Sequence, residues 1–450
     1  MFCSAYGLRL VRTRYGSDYK EIEKQVFARD TMSADEMHHF KSARLRGIVE
    51  RAAEQVPYYR RLFRTIGLDP RSIRSIEDLA QIPVLSKRQV QERIADFCSD
   101  DRSRMRIHMA HTSGTTGTGL VFPMTIQAEQ EQWAVWWRYR LRFGIDRSTW
   151  YAHFYGRGVV SPSQTRPPFW RVNRPGRQIL FSGYHMSDRF LPYYIEELNR
   201  CRPPWIQGYP SLLSLLAGYI ETSGNALAYR PRIVTIGAES LLPHQKQLIE
   251  RVFGAPCRQH YGTTEAVANI SECVEGRLHV DEDFSCVEFV PDPSGAMQIV
   301  GTGFCNQAFV LLRYQVGDSV TLPSSQGACP CGNIGRTVGA IDGRIEDYVV
   351  TPDGRRIGRL DHILKDMVNV RECQILQEEI GRIEFRVVRG PRFTDADRKT
   401  LLDEARKRLG DDMRIEVSYV DDLQRSKTGK LRFVLSKIAD ARILPQVKGS

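Results

Sequence analysis

The segment Thr112-Ser113-Gly114-Thr115-Thr116-Gly117 concentrates hydroxyls and glycines and contains no bulky side chain. Hydroxyls donate hydrogen bonds to anionic oxygens, and glycine lets the backbone take positive φ and come close to a ligand, so the run suits the phosphates of a nucleotide. No Gly-Lys-Ser/Thr follows it, which separates it from a P-loop. A second constellation suits a metal. Cys273 and His279 are separated by five residues, and Cys329-Pro330-Cys331-Gly332 places two thiols on one tight turn. Three sulfurs and one imidazole nitrogen fit tetrahedral Zn²⁺, and with no coordination position left open the site is expected to be structural.

Four further motifs follow the hexamer in order: Tyr261-Gly262-Thr263-Thr264-Glu265, Tyr314-Gln315-Val316-Gly317-Asp318, Gly343-Arg344-Ile345-Glu346-Asp347 and Arg425-Ser426-Lys427-Thr428-Gly429-Lys430. With these residues the chain, from about 40 to 440, resembles the adenylate-forming superfamily of acyl-CoA synthetases. Within it, the chain is similar to the phenylacetate-CoA ligase branch that includes CapK-type capsular polysaccharide proteins. The resemblance implies an ATP-dependent, AMP-forming ligase that adenylates a small-molecule carboxylic acid and passes the acyl group to coenzyme A or another acceptor. It also implies a role for each motif. Thr112, Ser113, Gly114, Thr115, Thr116 and Gly117 would cradle the β- and γ-phosphates, and Gly262 and Thr263 would belong to the nucleotide-binding set. Tyr261 would stack on adenine, with the backbone of Gly237, Ala238 and Glu239 on its other side. Thr264 and Glu265 would act in catalysis, Glu265 by holding Mg²⁺; Asp318 and Arg344 would hold the ribose; Lys430 would bridge the acid oxygen and the α-phosphate.

Three departures from the family pattern stand out. Glu346 occupies the hinge position, where Asp or Lys is usual. Thr118-Gly119-Leu120 replaces the usual Pro-Lys pair, so ATP binding is expected to be weaker. Thr351-Pro352-Asp353-Gly354 forms a turn where the ligases shape the thiol tunnel. The alternatives are an adenylyltransferase that places AMP on a cofactor of the deazaflavin type, and a non-catalytic anion-binding protein.

The elements that must position these residues follow from periodicity. Residues 107–111 and 120–122 read as short strands, which puts the hexamer at a hairpin tip, flanked by His108 and His111 as satisfied strand residues. Residues 37–56 and 86–97 read as helices, and 127–143 as a helix whose Trp133, Trp136, Trp137 and Tyr139 fill a core. From 204 to 253 the pattern is βαβα, the signature of a parallel sheet covered by helices, with Gly237 at a strand's carboxyl end. Short alternating strands at 277–322 predict a small β-barrel or distorted sheet. Beyond Gly343 strands at 375–388 and 415–419 and a helix at 396–409 predict a compact α+β unit. The fold class is therefore α/β, with an N-terminal nucleotide- and substrate-binding domain over 1–342 and a mobile cap carrying Lys430 over 343–450.

Composition narrows the class. A chain of 450 residues with 42% hydrophobic and 26% charged residues is globular rather than disordered, and no apolar run reaches the length of a spanning helix. Sixty-four Lys and Arg against 53 Asp and Glu give a net charge of +11, which favours anionic partners such as ATP or coenzyme A; no nucleic-acid motif accompanies it. Ten cysteines without a signal-peptide pattern predict a reduced, cytoplasmic setting.

Overall fold

The computed structural model describes residues 2–112, 119–155, 158–161, 163–239, 241, 243–292, 297–325, 327–341, 348–357, 360–364, 367, 369–390, 392–421, 423 and 433–438. Helices Phe2–Arg14, Tyr19–Ala28, Ala34–Gln55 and Pro57–Ile66 open the chain. The third begins at a capping box: the Ser33 side chain accepts from the Glu36 N–H while the Glu36 carboxylate accepts from the Ser33 N–H at 2.8 Å. Residues 86–97, expected as one helix, form two short pieces, Lys87–Glu92 and a 3₁₀ turn Ile94–Phe97. Arg93 leaves the helical region at φ −137°, which ends the first piece after little more than a turn.

A nine-stranded sheet runs through the middle of the molecule. Its five parallel strands lie in the spatial order Gln178–Ser182, Tyr151–Tyr155, Trp205–Gly208, Ile233–Gly237 and Cys257–Gly262. Helices Leu191–Cys201, Pro210–Ser223 and Pro243–Phe253 make the crossovers, as parallel pairing requires. Antiparallel strands close both edges: Trp170–Asn173 on one side, and Asn269–Glu272, Leu278–Val280 and Thr337–Val338 on the other. One face buries Ala152, Phe154, Ile206, Val234 and Ile236 against Leu213, Leu216, Ile249 and Phe253 of the crossover helices. On the other face Tyr151 and Trp205 stack at 4.0 Å, and Trp205 meets Trp137 of helix Ile126–Leu141 edge to face. Both faces are thus covered, and this sheet cannot slip register without exposing one of them.

The expected barrel-like part is an open four-stranded antiparallel sheet of Ser285–Pro291, Met297–Gly303, Tyr314–Thr321 and Ala340–Ile341. Near the C-terminus, strands Arg414–Tyr419, Arg382–Arg389, Val370–Glu379 and Val434–Ser436 form a second four-stranded sheet. Its Ile375, Ile383, Phe385 and Val387 share one core with Leu401, Ala405 and Leu409 of helix Asp395–Leu409. Tyr184 joins that core, and its carbonyl accepts from Arg355 Nη1 at 2.7 Å. The expected division between 342 and 343 lies outside the described residues. Among the described residues, no helix is long and apolar enough to cross a membrane.

A buried charge cluster, invisible to periodicity, ties helix Ile126–Leu141 to the rest. Arg138 meets Asp283 at 2.8 Å, Asp281 at 3.2 Å and Asp30 at 3.2 Å. Next to it Glu131 holds Arg29 at 2.8 Å and Arg44 at 2.9 Å, and Glu282 holds Lys41 and Arg336. Burial pushes the Asp283 carboxyl up, but the Arg138 and Arg29 guanidiniums together outweigh it and keep the group below the usual carboxylate range.

Candidate active site

Ile107–His111 and Val121–Thr125 pair as an antiparallel hairpin, as expected, and Thr112 follows the first strand. Thr112 closes the base of the loop. Its N–H donates to Leu120 O at 3.0 Å, and its Oγ1 accepts from the Leu120 N–H at 2.8 Å. Gly119 is required there, because a Cβ would fall 2.1 Å from the Thr112 carbonyl oxygen. Ser113, Gly114, Thr115, Thr116 and Gly117 lie outside the described residues, as do Arg344, Glu346 and Lys430. His108 Nε2 approaches Glu129 at 3.6 Å, beyond hydrogen-bond reach, and its buried Nδ1 has no hydrogen-bond partner among the described residues, so the expected satisfied strand histidine is not found.

Gly237 ends its strand in parallel register with His260, so Ala238 and Glu239 emerge beside Tyr261 at the carboxyl edge of the sheet. A Cβ at Gly237 would sit 2.8 Å from His260 O, and Ala238 takes φ +67° as the chain turns away. Tyr261 is half-buried at the end of strand Cys257–Gly262. Gly262 follows for a steric reason: its Cβ would meet Asn269 Oδ1 at 2.8 Å, the atom that accepts from Trp136 Nε1 at 2.9 Å.

The chain from Thr263 to Ala268 forms a tight loop. Thr263 N–H donates to Ala268 O at 3.2 Å, Thr263 Oγ1 accepts from the Val267 N–H at 3.2 Å, and Ala266 takes φ +58°. Gln132, buried in helix Ile126–Leu141, donates Nε2 to Thr263 O at 2.8 Å and pins the loop from behind. On its other side the loop lies directly on the four-stranded sheet, where a Cβ at Gly301 would meet Val267 O at 2.3 Å. Thr264 is exposed at the loop's surface, and Glu265 Oε1 accepts from the Tyr314 hydroxyl at 3.4 Å.

Asp318 reaches the same place through a bulge. Gln315 pairs with Val300 and Ser319 with Gln298, so Val316, Gly317 and Asp318 all face the single residue Ile299. Gly317 supplies φ +89°, which a residue with a Cβ rarely adopts. The displaced Asp318 accepts from the Tyr261 hydroxyl at 2.8 Å. The sequence names the motif around Asp318; the bulge that aims it depends on strand register and is not readable from a period of two.

Cys273, His279, Cys329 and Cys331 come together, with one ligand atom from each lying within 4.8 Å of the others. Cys273 Sγ is 3.8 Å from Cys329 Sγ, and Cys331 Sγ is 3.6 Å from His279 Nε2. Two thiolates bound to one Zn²⁺ at ~2.3 Å sit about 3.8 Å apart in a tetrahedron, so the spacing fits the ion. His279 Nδ1 lies 2.9 Å from Gly335 O, a contact that places the ring proton on Nδ1 and leaves Nε2 to face the sulfurs. Burial pushes the His279 imidazole below its ordinary value, toward the neutral form a metal requires.

Comparisons with known proteins agree with this geometry. Residues 349–437 match the family described as the CapK C-terminal domain. Over 447 residues, covering 97% of this chain and 96% of the relative, the sequence is 24% identical to Protein CapK of Staphylococcus aureus. The chain is homologous to CapK and to the phenylacetate-CoA ligases. Phenylacetate-coenzyme A ligase of Thermus thermophilus is 25% identical over 335 residues, covering 71% of this chain and 73% of the relative. The fold is that of a 2-hydroxyisobutyryl-CoA ligase solved in complex with 2-HIB-AMP and CoA in the thioesterification state. That match has a TM-score of 0.58 at 20% identity and covers 91% of each chain. The postadenylation state of the same ligase, with R3-HIB-AMP, gives 0.55 at 18% identity over 93% of this chain and 94% of the other. This CapK homologue therefore shares its fold with that ligase.

Proposed function

We propose that this CapK homologue is an ATP-dependent, AMP-forming ligase. A carboxylic acid attacks the α-phosphorus of ATP, pyrophosphate leaves, and the acyl group passes from the acyl-adenylate to a thiol or other acceptor with release of AMP. The observation that carries this reading is the convergence of two separate motifs through two contacts: Tyr261 bonded to Asp318, and Glu265 against Tyr314 on the same strand as Asp318.

Each residue would act by ordinary chemistry. Tyr261 offers an aromatic face to adenine beside the Gly237-Ala238-Glu239 backbone, and the Asp318 carboxylate accepts from the ribose hydroxyls, joined by Arg344. The hydroxyls and N–H groups of residues 113–117 would hold the β- and γ-phosphates. Glu265 would be the hard oxygen ligand for Mg²⁺, which would neutralise phosphate charge when bound, and Thr264 stands next to it at the loop surface. Lys430 would bring a compact positive charge to the acid oxygen as the bond to phosphorus forms. The unit over 343–450 would act as the cap that delivers it. Zn²⁺ in the Cys273, His279, Cys329 and Cys331 set would be structural, fixing the strands next to the one that ends at Tyr261.

The resemblance to CapK supports a place in surface polysaccharide modification, and the thioester-forming relatives support coenzyme A as acceptor. Acid-dependent exchange of labelled pyrophosphate into ATP, measured over a panel of carboxylic acids, tests the reading. Wild-type protein is expected to exchange with at least one acid, and Lys430→Ala to lose about 10²- to 10³-fold. A stable AMP adduct on a cofactor, with no acid-dependent exchange, would replace this reading with adenylyl transfer.

A further inference from the structure

A second cavity lies away from the nucleotide motifs, between the N-terminal helix Phe2–Arg14 and the start of strand Ile107–His111. It has a volume of about 460 Å³. Ala5, Leu8 and Ile126 give it an apolar lining, and Arg9, Arg12 and Arg106 give it a cationic one; among the described residues no carboxylate lines it.

The charges here are compensated only in part. The helix contains no acidic residue. Arg9 and Arg12 are exposed and have no carboxylate partner among the described residues, whereas Arg14 on the same helix is held by Glu129 at 3.4 Å. The Arg106 side chain is 70% exposed and meets a single acid, Asp18, at 4.0 Å. Arg102 and Arg104 stand exposed in the turn just before it.

An apolar side chain stands among these cations. Leu8 lines the cavity and is 48% exposed. Ile107 and Met109 alternate with Arg106 along the strand and lie on the other side of the hairpin. Leu8, Ala5 and Ile126 give the arginines an apolar neighbour that a merely solvated basic face does not need. A phosphate-bearing amphiphile satisfies both halves: guanidiniums pair with phosphate, and apolar groups enter the acyl layer.

We propose that this face docks peripherally on an anionic phospholipid surface. Arg9, Arg12 and Arg106 sit at the level of the lipid phosphates, and Leu8 reaches past the headgroups. No spanning helix is needed, and the proposal stands independently of the ligase reading.

Co-sedimentation of the full-length protein with vesicles tests it. Binding is expected to phosphatidylcholine vesicles containing phosphatidylglycerol and not to pure phosphatidylcholine, and to weaken at high salt. Arg9→Glu/Arg12→Glu should lower the partition coefficient by at least about tenfold. Arg398→Glu/Lys399→Glu, which makes the same change in net charge on the exposed face of a distant helix, should leave it near wild type. Leu8→Asp should weaken binding without altering charge on the guanidiniums. If Arg9→Glu/Arg12→Glu does not fold, Arg106→Glu from the other wall of the cavity makes the same test. Absence of binding to anionic vesicles, or equal loss in the distant charge reversal, would overturn the proposal.

Discussion

The Tyr261 hydroxyl donates to Asp318 Oδ2 at 2.8 Å, joining the last parallel strand of the nine-stranded sheet to a bulge in the four-stranded sheet. Two motifs whose bonded residues are 57 positions apart thereby share one surface, with the loop that carries Glu265 beside it. Removing the hydroxyl in Tyr261→Phe leaves the ring and costs a hydrogen bond to a carboxylate, about 1.5–3 kcal/mol at most. In the ligase reading Asp318 then loses its orientation, so the expected result is a raised KM for ATP with a smaller change in kcat. Steady-state kinetics with ATP varied at saturating acid checks the split.

The sulfur cluster makes a second expectation. Purified protein should carry about one zinc per chain by elemental analysis, and a strong chelator should lower its thermal midpoint. Cys329→Ser should mimic the chelator, because a hydroxyl is a poor zinc ligand beside the two remaining thiolates.

Arg138 stands among Asp281, Asp283 and Asp30 with its side chain only 6% exposed. Arg138→Met leaves buried Asp281 without its ion-pair partner and Asp283 with Arg29 alone at 3.3 Å, and should destabilise the protein by about 3–5 kcal/mol. A lowered midpoint in urea unfolding would show it. Adding Asp283→Asn should recover part of that loss, since the second change removes a charge left only partly compensated.

His260 gives a pH dependence whose sign is fixed. Burial and the nearby Arg140 guanidinium push its imidazole down to about 3, and it packs against the rings of Trp136 and Tyr139. The unfolded chain binds this proton near 6.5 and the folded chain does not, so the contribution is fully present above about 6.5 and falls as pH drops toward 3. Unfolding free energy should therefore rise between those limits, with a shallower slope in His260→Phe. An unchanged slope in the variant would assign the effect to other groups.

Much of the fold is legible in the chain because its signals are local. The βα alternation from Trp205 to Phe253 and the hairpin around Thr112 both read directly from apolar period and turn residues. Ser86 and Gln89 announce a helix start, yet nothing at Arg93 announces its early end. Strands Tyr151–Tyr155, Trp170–Asn173 and Gln178–Ser182 are missed: they are short, and the first alternates aromatic rings buried on both faces of the sheet, which erases the period-two contrast. The helices before Ala34 escape for a related reason, since arginines interrupt the first of them and its docking depends on the distant helix Ile126–Leu141.

Site residues divide along the same line. Motif identity is local and names Tyr261, Glu265 and Asp318 in advance. Support is tertiary: Gln132 behind Thr263, Gly301 beneath Val267 and the Val316–Asp318 bulge each rely on a partner far along the chain, and no spacing rule points to them. The metal set is the exception, because thiol and imidazole chemistry marks its members wherever they fall.

The central claim is that these scattered segments surround one nucleotide, and a crystal structure of the protein with a non-hydrolysable ATP analogue and Mg²⁺ tests it most directly. The account predicts adenine on Tyr261, ribose hydroxyls on Asp318, the metal on Glu265 and the terminal phosphates above Thr112. Nucleotide bound elsewhere, with Tyr261 and Asp318 still bonded to each other and touching no ligand, would contradict it.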